Sequence, residues 1–207
     1  MVIRSMWLLP LFTLLVLIVS ANALAEEAPD HLVKRVTEEV LSILRQDSEI
    51  THDKQKLYEL VDAKILPNFD FTHMTRLAVG RHWRDATPSQ QTLLTNEFRT
   101  LLVRTYSTAL NNYKDQKILF KPFHMEEGQT DVTINAKFLQ EGAPPVSVEC
   151  SMEKTSNGWK VYDVAIDGVS LVITYRNTFN SEIKAGGIDQ LIKVLQQKNQ
   201  KTGQEKN

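Results

Sequence analysis

The sequence predicts an α+β fold, with several helices packed on one side of a small antiparallel sheet of about four strands. Apolar residues recur at helical spacing through the first half of the chain, to about residue 113. Between residues 118 and 166 the period changes to two, as in half-buried strands. A third stretch, "DGVSLVITYRNTF" at residues 167–179, fits either period. As a helix it places Val169, Val172, Phe179 and Ile183 on one side, with Arg176 among them. As a strand it alternates Val169, Leu171, Ile173 and Tyr175 with Ser170, Val172, Thr174 and Arg176, and the arginine faces water.

The chain opens with "MVIRSMWLLPLFTLLVLIVSANALA": one early positive charge, Arg4, then an apolar run over residues 6–19 and a small-residue ending. That is the layout of a secretory signal peptide, with cleavage expected after Ala25. The run is shorter than the roughly 17–25 residues that span a bilayer, and no cysteine near the cleavage site offers a lipid anchor. Removing 25 of 207 residues leaves 182, residues 26–207, enough for one domain with a real core. Arg4 is the only charge removed, so 23 basic and 25 acidic residues remain, net −2. Such a balance leaves no electrostatic footprint for nucleic acid. Cys150 is the only cysteine, so no internal disulfide can hold the exported chain. Its alternation with Val146, Val148 and Met152 reads as a small apolar residue on a strand.

The helices follow in order. Asp30 is the expected cap of the first, with Val33, Val36, Val40 and Ile43/Leu44 along one face. Thr51 is expected to open a second, with Leu57, Leu60, Val61 and Ile65 inward and Pro67 stopping it. A short third runs from about 71 to 79, with Gly80 as its stop. "TPSQ" at 87–90 supplies a cap, a proline at the first helical position and a capping-box partner for a long helix to about Tyr113.

Among the strands, Val132, Ile134, Ala136 and Phe138 alternate with polar residues, as do Val146, Val148, Cys150 and Met152. A shorter strand is expected around 118–123, and another over 159–166 after the Asn157-Gly158 turn. The tail from about Lys198 is polar and expected to fray.

Nothing in the sequence reads as an enzyme. The histidines are His31, His52, His73, His82 and His124, and no pair has the short spacing of a metal site. There is no glycine-rich phosphate loop, no G-x-S-x-G elbow and no H-E-x-x-H. Asp163 and Asp167 could form a carboxylate pair, but a solvated strand end or a partner for a cation is the simpler role. What is over-supplied is apolar helix surface. Leu94, Phe98, Leu101, Leu102, Tyr106, Ala109, Leu110 and Tyr113 cover an arc wider than a minimal stripe of about 100°. Such an arc is either plain core or the wall of a cavity, and periodicity does not separate the two.

Five features together resemble the MlaC/Ttg2-type periplasmic phospholipid-binding proteins, once called toluene-tolerance proteins. They are "GRHWRDATPSQQ" (80–91), "FRTLLVRTYSTAL" (98–110), "WKVYDVAIDGVSLVITYRNTF" (159–179), "GIDQLIKVL" (187–195) and the signal peptide. They run in order through nearly the whole mature chain, and "VYDVAIDGVSLVITYR" is the most specific part. The resemblance implies a helix from Val169 to about residue 184, and an apolar lipid cavity between sheet and helices. Read with the shared apolar faces, it places Leu102, Tyr106 and Leu110 around that cavity. Val132, Ile134, Val148, Cys150 and Val164 of the strands, and Val169, Val172 and Ile173, complete the lining. Cys150 departs from the pattern, standing where a tyrosine or other large residue is expected.

The function implied is a soluble periplasmic phospholipid carrier that maintains outer-membrane lipid asymmetry. Its partners would be phospholipid, an outer-membrane lipoprotein complex and an inner-membrane ABC transporter with an MCE-domain subunit. The phospholipid is then cargo; no cofactor, metal or nucleic acid is expected, and the carrier is expected to be a monomer. Each acyl methylene prefers an apolar site by about 0.8 kcal/mol, so two chains represent on the order of 20 kcal/mol and must be enclosed. One leaflet's hydrocarbon is about 15 Å deep, which ten helical residues match, so residues 102–113 and 169–179 can each wall a slot. The alternative is a periplasmic adaptor or chaperone with no lipid cargo, whose wide helix faces are core plus a docking patch. Arg176 has two possible roles within a helix. Asp163, Asp167 or backbone carbonyls could hold its guanidinium, which is the preferred reading, or it could snorkel to the cavity mouth and meet lipid phosphate.

Overall fold

The computed structural model describes residues 26–107, 110, 117–140 and 142–204; the predicted signal peptide lies outside them. Helix α1 (Pro29–Gln46) begins with proline in its first turn, where no N–H is required, and Ala28 as its N-cap. Asp30, the expected cap, lies inside the first turn, where its charge suits the helix dipole. Asp53, and not Thr51, opens α2 (Lys54–Leu60), its carboxylate accepting from the N–H groups of Gln55 and Lys56 at 2.8 and 3.2 Å. Thr51 belongs to a preceding 3-10 turn, Ser48–Thr51. The end of α2 widens into a π-turn, Val61–Ile65, and closes in a 3-10 turn, Leu66–Asn68.

Helix α3 (Phe71–Val79) is capped by Asp70, which accepts from the His73 N–H at 2.8 Å, and stops at Gly80 with φ +65°. Helix α4 (Pro88–Tyr106) carries both halves of the capping box. Thr87 Oγ1 accepts from the Gln90 N–H at 3.2 Å, and Gln90 Oε1 accepts from the Thr87 N–H at 2.9 Å. It ends at Tyr106 rather than near Tyr113; residues 108–109 and 111–116 are not among those described.

The sheet is a five-stranded antiparallel meander in the order β1 (Lys117–Phe120), β2 (Asp131–Leu139), β3 (Val146–Thr155), β4 (Gly158–Ile166) and β5 (Val169–Ser170). β1 is shorter than expected because Pro122 cannot donate to the ladder. In β4 the register slips opposite Ser151 and Met152, so Tyr162 is an extra residue between Val161 and Asp163. This bulge puts Val161 and Val164, three apart, beside the same apolar cluster.

The stretch at 167–179 is strand and helix in succession. Asp167 and Gly168 both have positive φ, +47° and +79°, as a tight two-residue hairpin turn requires. Val169 and Ser170 then pair with Ile166 and Ala165 as β5, and helix α5 (Leu171–Gln204) starts at once. Asp163 fixes the transition. Its carboxylate accepts from the Val164 N–H at 2.8 Å, the Ser170 hydroxyl at 2.5 Å and the Val172 N–H at 3.1 Å. Ser170 Oγ in turn accepts from the Ile173 N–H at 3.0 Å. Asp167 accepts instead from the Ser147 N–H, at 2.8 Å.

Both carboxylates are thus engaged by donors other than Arg176, which makes no ion pair among the described residues. Arg176 is exposed, its guanidinium lying over Gly80, where a Cβ would come within 3.3 Å of Nε and Nη2. A bare glycine beside an apolar face gives the arginine its way out to solvent.

Helix α5 leaves helical geometry at Gly186 and Gly187 and resumes to Gln204. The segment expected to fray is helical as far as Gln204, with residues 205–207 outside those described, and Asn199 within it is buried, its Nδ2 donating to the Glu97 carbonyl at 3.0 Å and the Glu97 carboxylate at 2.6 Å. One apolar cluster joins α3, α4 and α5 around Phe98, which packs edge-on to Tyr175 and Phe179 with centroids 5.0 Å apart. A second joins α1 to the sheet through Leu32, Val132, Ile134, Met152, Trp159 and Val161. A third joins α1 to α2. Helix α3 is further tied to the sheet by His73, whose Nδ1 lies 2.5 Å from Glu153 Oε1 and whose ring stacks on Tyr162 at 4.7 Å.

Replacing Asp163 by alanine deprives three donors of their acceptor at the β5–α5 junction. Net losses for hydrogen bonds to a charged group predict a destabilisation of about 2 kcal/mol. The midpoint of thermal unfolding should fall by about 6 °C, read by circular dichroism. An unchanged midpoint would show that the packing of α5 sets its start without the cap.

Candidate functional site

Two apolar clefts lie side by side. The first, about 220 Å³, sits between the end of α2, α3, α4 and the end of β4. Val61, Leu66, Phe71, Met74, Leu102, Val103, Tyr106, Val164, Ile166 and Leu171 line it. The second, about 210 Å³, sits between α1 and the sheet, lined by Leu32, Val33, Val36, Val40, Leu41, Ile118, Phe138, Cys150, Met152 and Val161. Ile65, Phe69 and Leu110 line both clefts, so the pair reads as two lobes meeting at one junction.

The junction residue Phe69 is placed by the backbone. Pro67 closes the chain into the turn Leu66–Asn68, and Phe69 leaves it extended at φ −110°, ψ 144°. There it forms a parallel bridge with Val161, and the next N–H, of Asp70, donates to the Val161 carbonyl at 2.9 Å. Asp70 caps α3, so one short run fixes both the partition between the lobes and the helix beyond it. The Phe69 and Phe71 rings stack 5.7 Å apart.

No carboxylate, imidazole, amine or guanidinium is among the described residues lining either lobe. The polar side chains there are Tyr106 and Ser107 in the first, and Thr37, Asn68 and the Cys150 thiol in the second. Burial pushes the Tyr106 hydroxyl up to about 12, and the nearby Tyr175 adds to the shift. Burial likewise pushes the Cys150 thiol up to about 11, with the charge of Asp163 contributing. The described lining is apolar and suits an apolar ligand. A polar cleft of about 410 Å³ abuts the first lobe at Leu66 and Val103 and holds the ion pair between Arg99 and Asp62. Among the described residues no cluster of three or more His, Cys, Asp or Glu could hold a metal, and no helix is long and apolar enough to cross a membrane.

The structure brings Leu102, Tyr106, Leu110, Val164 and Cys150 together at the lobes. Val132 and Ile134 are buried in the α1–sheet cluster, and Val148 lies half-buried on β3; none of the three lines a lobe. Val172 packs into the α3–α4–α5 core. Val169 and Ile173 are exposed, at 60% and 61%, and lie outside both lobes. The physical reason is helix phase: the Asp163 and Ser170 caps start α5 at Leu171, which turns Val172, Phe179 and Ile183 inward and Ile173 outward.

Residues beyond the expected set are mainly Phe69, Phe71, Ile65 and Leu66. The α1 face with Val33, Val36 and Val40 was visible as an apolar stripe, but a stripe does not distinguish core from cavity wall. Phe69 sits in a connection and belongs to no period; two aromatics flanking the cap Asp70 are the sole local mark.

A family model described as MlaC protein matches residues 34–197. The chain is 26% identical over 190 residues to the intermembrane phospholipid transport system binding protein MlaC of Haemophilus influenzae, covering 90% of this chain and 89% of that protein. It is 24% identical over 167 residues to toluene tolerance protein ttg2D of Pseudomonas putida, covering 80% of this chain and 77% of that protein. Its fold is similar to that of a phospholipid-binding protein from Ralstonia solanacearum, solved in complex with a phospholipid at 1.53 Å. The TM-score is 0.80 and the identity 37%, with 86% of this chain and 100% of that one covered.

A thiol pushed up to about 11 carries far less thiolate at pH 8 than an exposed one. Labelling of native Cys150 by a thiol reagent at that pH should run on the order of a hundredfold slower than in the urea-unfolded chain. The native rate should keep climbing past pH 9, where that of an ordinary thiol levels off. Equal native and unfolded rates would place the thiol in open solvent.

Proposed function

The chain belongs to the MlaC family, and from that premise we propose that it is a phospholipid carrier that holds one diacyl lipid with an acyl chain in each lobe. The observation that carries this reading is the pair of lobes itself: two apolar clefts without a charged lining residue, joined at Ile65, Phe69 and Leu110. The phospholipid bound by the similar Ralstonia solanacearum protein supports it. Apolar walls give the chains what a bilayer interior gives them, so loading and unloading are close to balanced. A head group outside the lobes keeps its hydration and needs no dedicated partner.

The carrier works in the periplasm after removal of residues 1–25. It passes lipid between an outer-membrane lipoprotein complex and an inner-membrane ABC transporter with an MCE-domain subunit, and so maintains lipid asymmetry. Near-balanced transfer leaves direction to those complexes. The protein performs no bond-making chemistry in this scheme; the lobes offer no nucleophile with a base beside it.

Mass spectrometry of the purified protein under native conditions tests the reading: a co-purifying phospholipid is expected, and a lipid-free protein that still engages a periplasmic partner would favour an adaptor. Leu110→Glu should reduce retained phospholipid by at least about tenfold, because an unpaired carboxylate among acyl chains costs several kcal/mol. Ile173→Glu, on the exposed side of α5, should retain lipid as wild type does. Reversal of these two results would move the binding site onto the outer face of α5.

A further inference from the structure

Among the described residues, the first lobe contains one buried polar side-chain atom without a hydrogen-bond partner. Ser107 lies just past the last turn of α4 and is 5% exposed, and its Oγ is buried without a hydrogen-bond partner. Its backbone N–H already donates to the Val103 carbonyl, closing the helix, while the side-chain hydroxyl remains free beside the cleft. Buried hydroxyls are nearly always paired, since losing water without gaining a partner is unfavourable. The one other side-chain hydroxyl among the described residues lining this lobe is that of Tyr106. Stable buried waters make about three hydrogen bonds, and the described lining offers a water at Ser107 only that one further side-chain partner. The missing partner has to arrive with the ligand.

Position says which part of the ligand this is. Ser107 lines the first lobe three residues before Leu110, which lines both lobes at their junction. In a diacyl lipid whose chains diverge into two lobes, the groups at the junction are the glycerol and its two ester linkages. We infer that Ser107 is a specificity-determining residue whose Oγ–H donates to the carbonyl oxygen of one acyl ester, so that the site selects ester-linked over ether-linked phospholipids. This inference rests on the carrier reading. The ester carbonyl is a good acceptor; a dialkyl ether has no carbonyl and offers only a weak, crowded ether oxygen. The hydroxyl would then stay unpaired against the ether, which is the situation in which a site built to bond a polar group rejects an analogue lacking it.

The test is a competition. The purified protein, stripped of lipid, is equilibrated with vesicles holding equal amounts of a diester phospholipid and its di-O-alkyl analogue, with the same head group and hexadecyl chains. The bound ratio is read by native mass spectrometry. One neutral hydrogen bond predicts a preference of roughly fivefold to tenfold for the diester. Ser107→Ala should bring the ratio to about one without loss of total lipid beyond that range, and Ser107→Thr, which keeps a hydroxyl, should restore much of the preference. A role confined to folding would shift melting temperature and leave the ratio alone. Equal uptake of both lipids by wild type, or an unchanged preference in Ser107→Ala, overturns the assignment and leaves the carrier reading standing. If wild type takes up neither lipid, the carrier reading falls and the role of Ser107 falls with it.

Discussion

The interior depends on a single backbone tether, the bridge between Phe69 and Val161 closed by the Asp70 N–H on the Val161 carbonyl. Without it the connection from α2 to α3 would be held to the sheet by side chains, such as Lys160, whose Nζ donates to the Pro67 carbonyl at 2.6 Å. With it, Phe69 stands between two spaces that would otherwise merge or collapse, and Asp70 is held where its carboxylate caps α3. Close packing normally removes voids of this size, because each unfilled space forfeits dispersion contacts. Here the helices are propped away from the sheet by main chain, which cannot relax into the gap as a side chain can. The His73–Glu153 pair and the stack on Tyr162 brace the same helix a turn further on.

The bulge in β4 and the cap at Asp163 serve this arrangement from the other side. Inserting Tyr162 lets Val161 reach the α1 cluster and the second lobe while Val164 still lines the first. One residue later in the strand, Asp163 gathers three donors and commits the chain to α5. The phase of α5 then follows, and with it the escape of Arg176 over Gly80. An arginine in the middle of an apolar stripe looks paradoxical only while the opposite helix is imagined with side chains all along its length.

Much of the fold was legible because it is written in local signals. The Thr87–Gln90 capping box, the Gly80 stop and the alternation in β2 and β3 each report a backbone requirement that neighbours in sequence satisfy. The α+β class and the order of elements follow from these. The cap of α1 was misread because Asp30 is a good capping type two residues too late, while Pro29 does not show its role without the backbone. The lining of the lobes was only partly legible. Leu102, Tyr106 and Leu110 lie on an apolar arc wide enough for either core or cavity wall, while Val172 and Ile173 are adjacent, one buried and the other exposed. A two-residue strand before α5 decides which is which, and no period marks it. Phe69 was invisible for a different reason: its place is set by a contact with Val161, 92 residues away in sequence (161 − 69).

The shape of the sheet has a consequence for how other molecules can approach. A meander has two edges, and both are blunt. β5 is two residues long and turns directly into a helix. β1 is four residues long, begins at Lys117, and is followed by Lys121 and Pro122, a charge and a missing donor. Neither offers the long flat row of unpaired N–H and C=O groups on which a foreign strand can build. At β1 and β5, as far as the described residues go, a docking chain therefore finds only short ladders to extend, and helices and loops offer the larger grip. The same bluntness guards against self-association by edge-to-edge stacking.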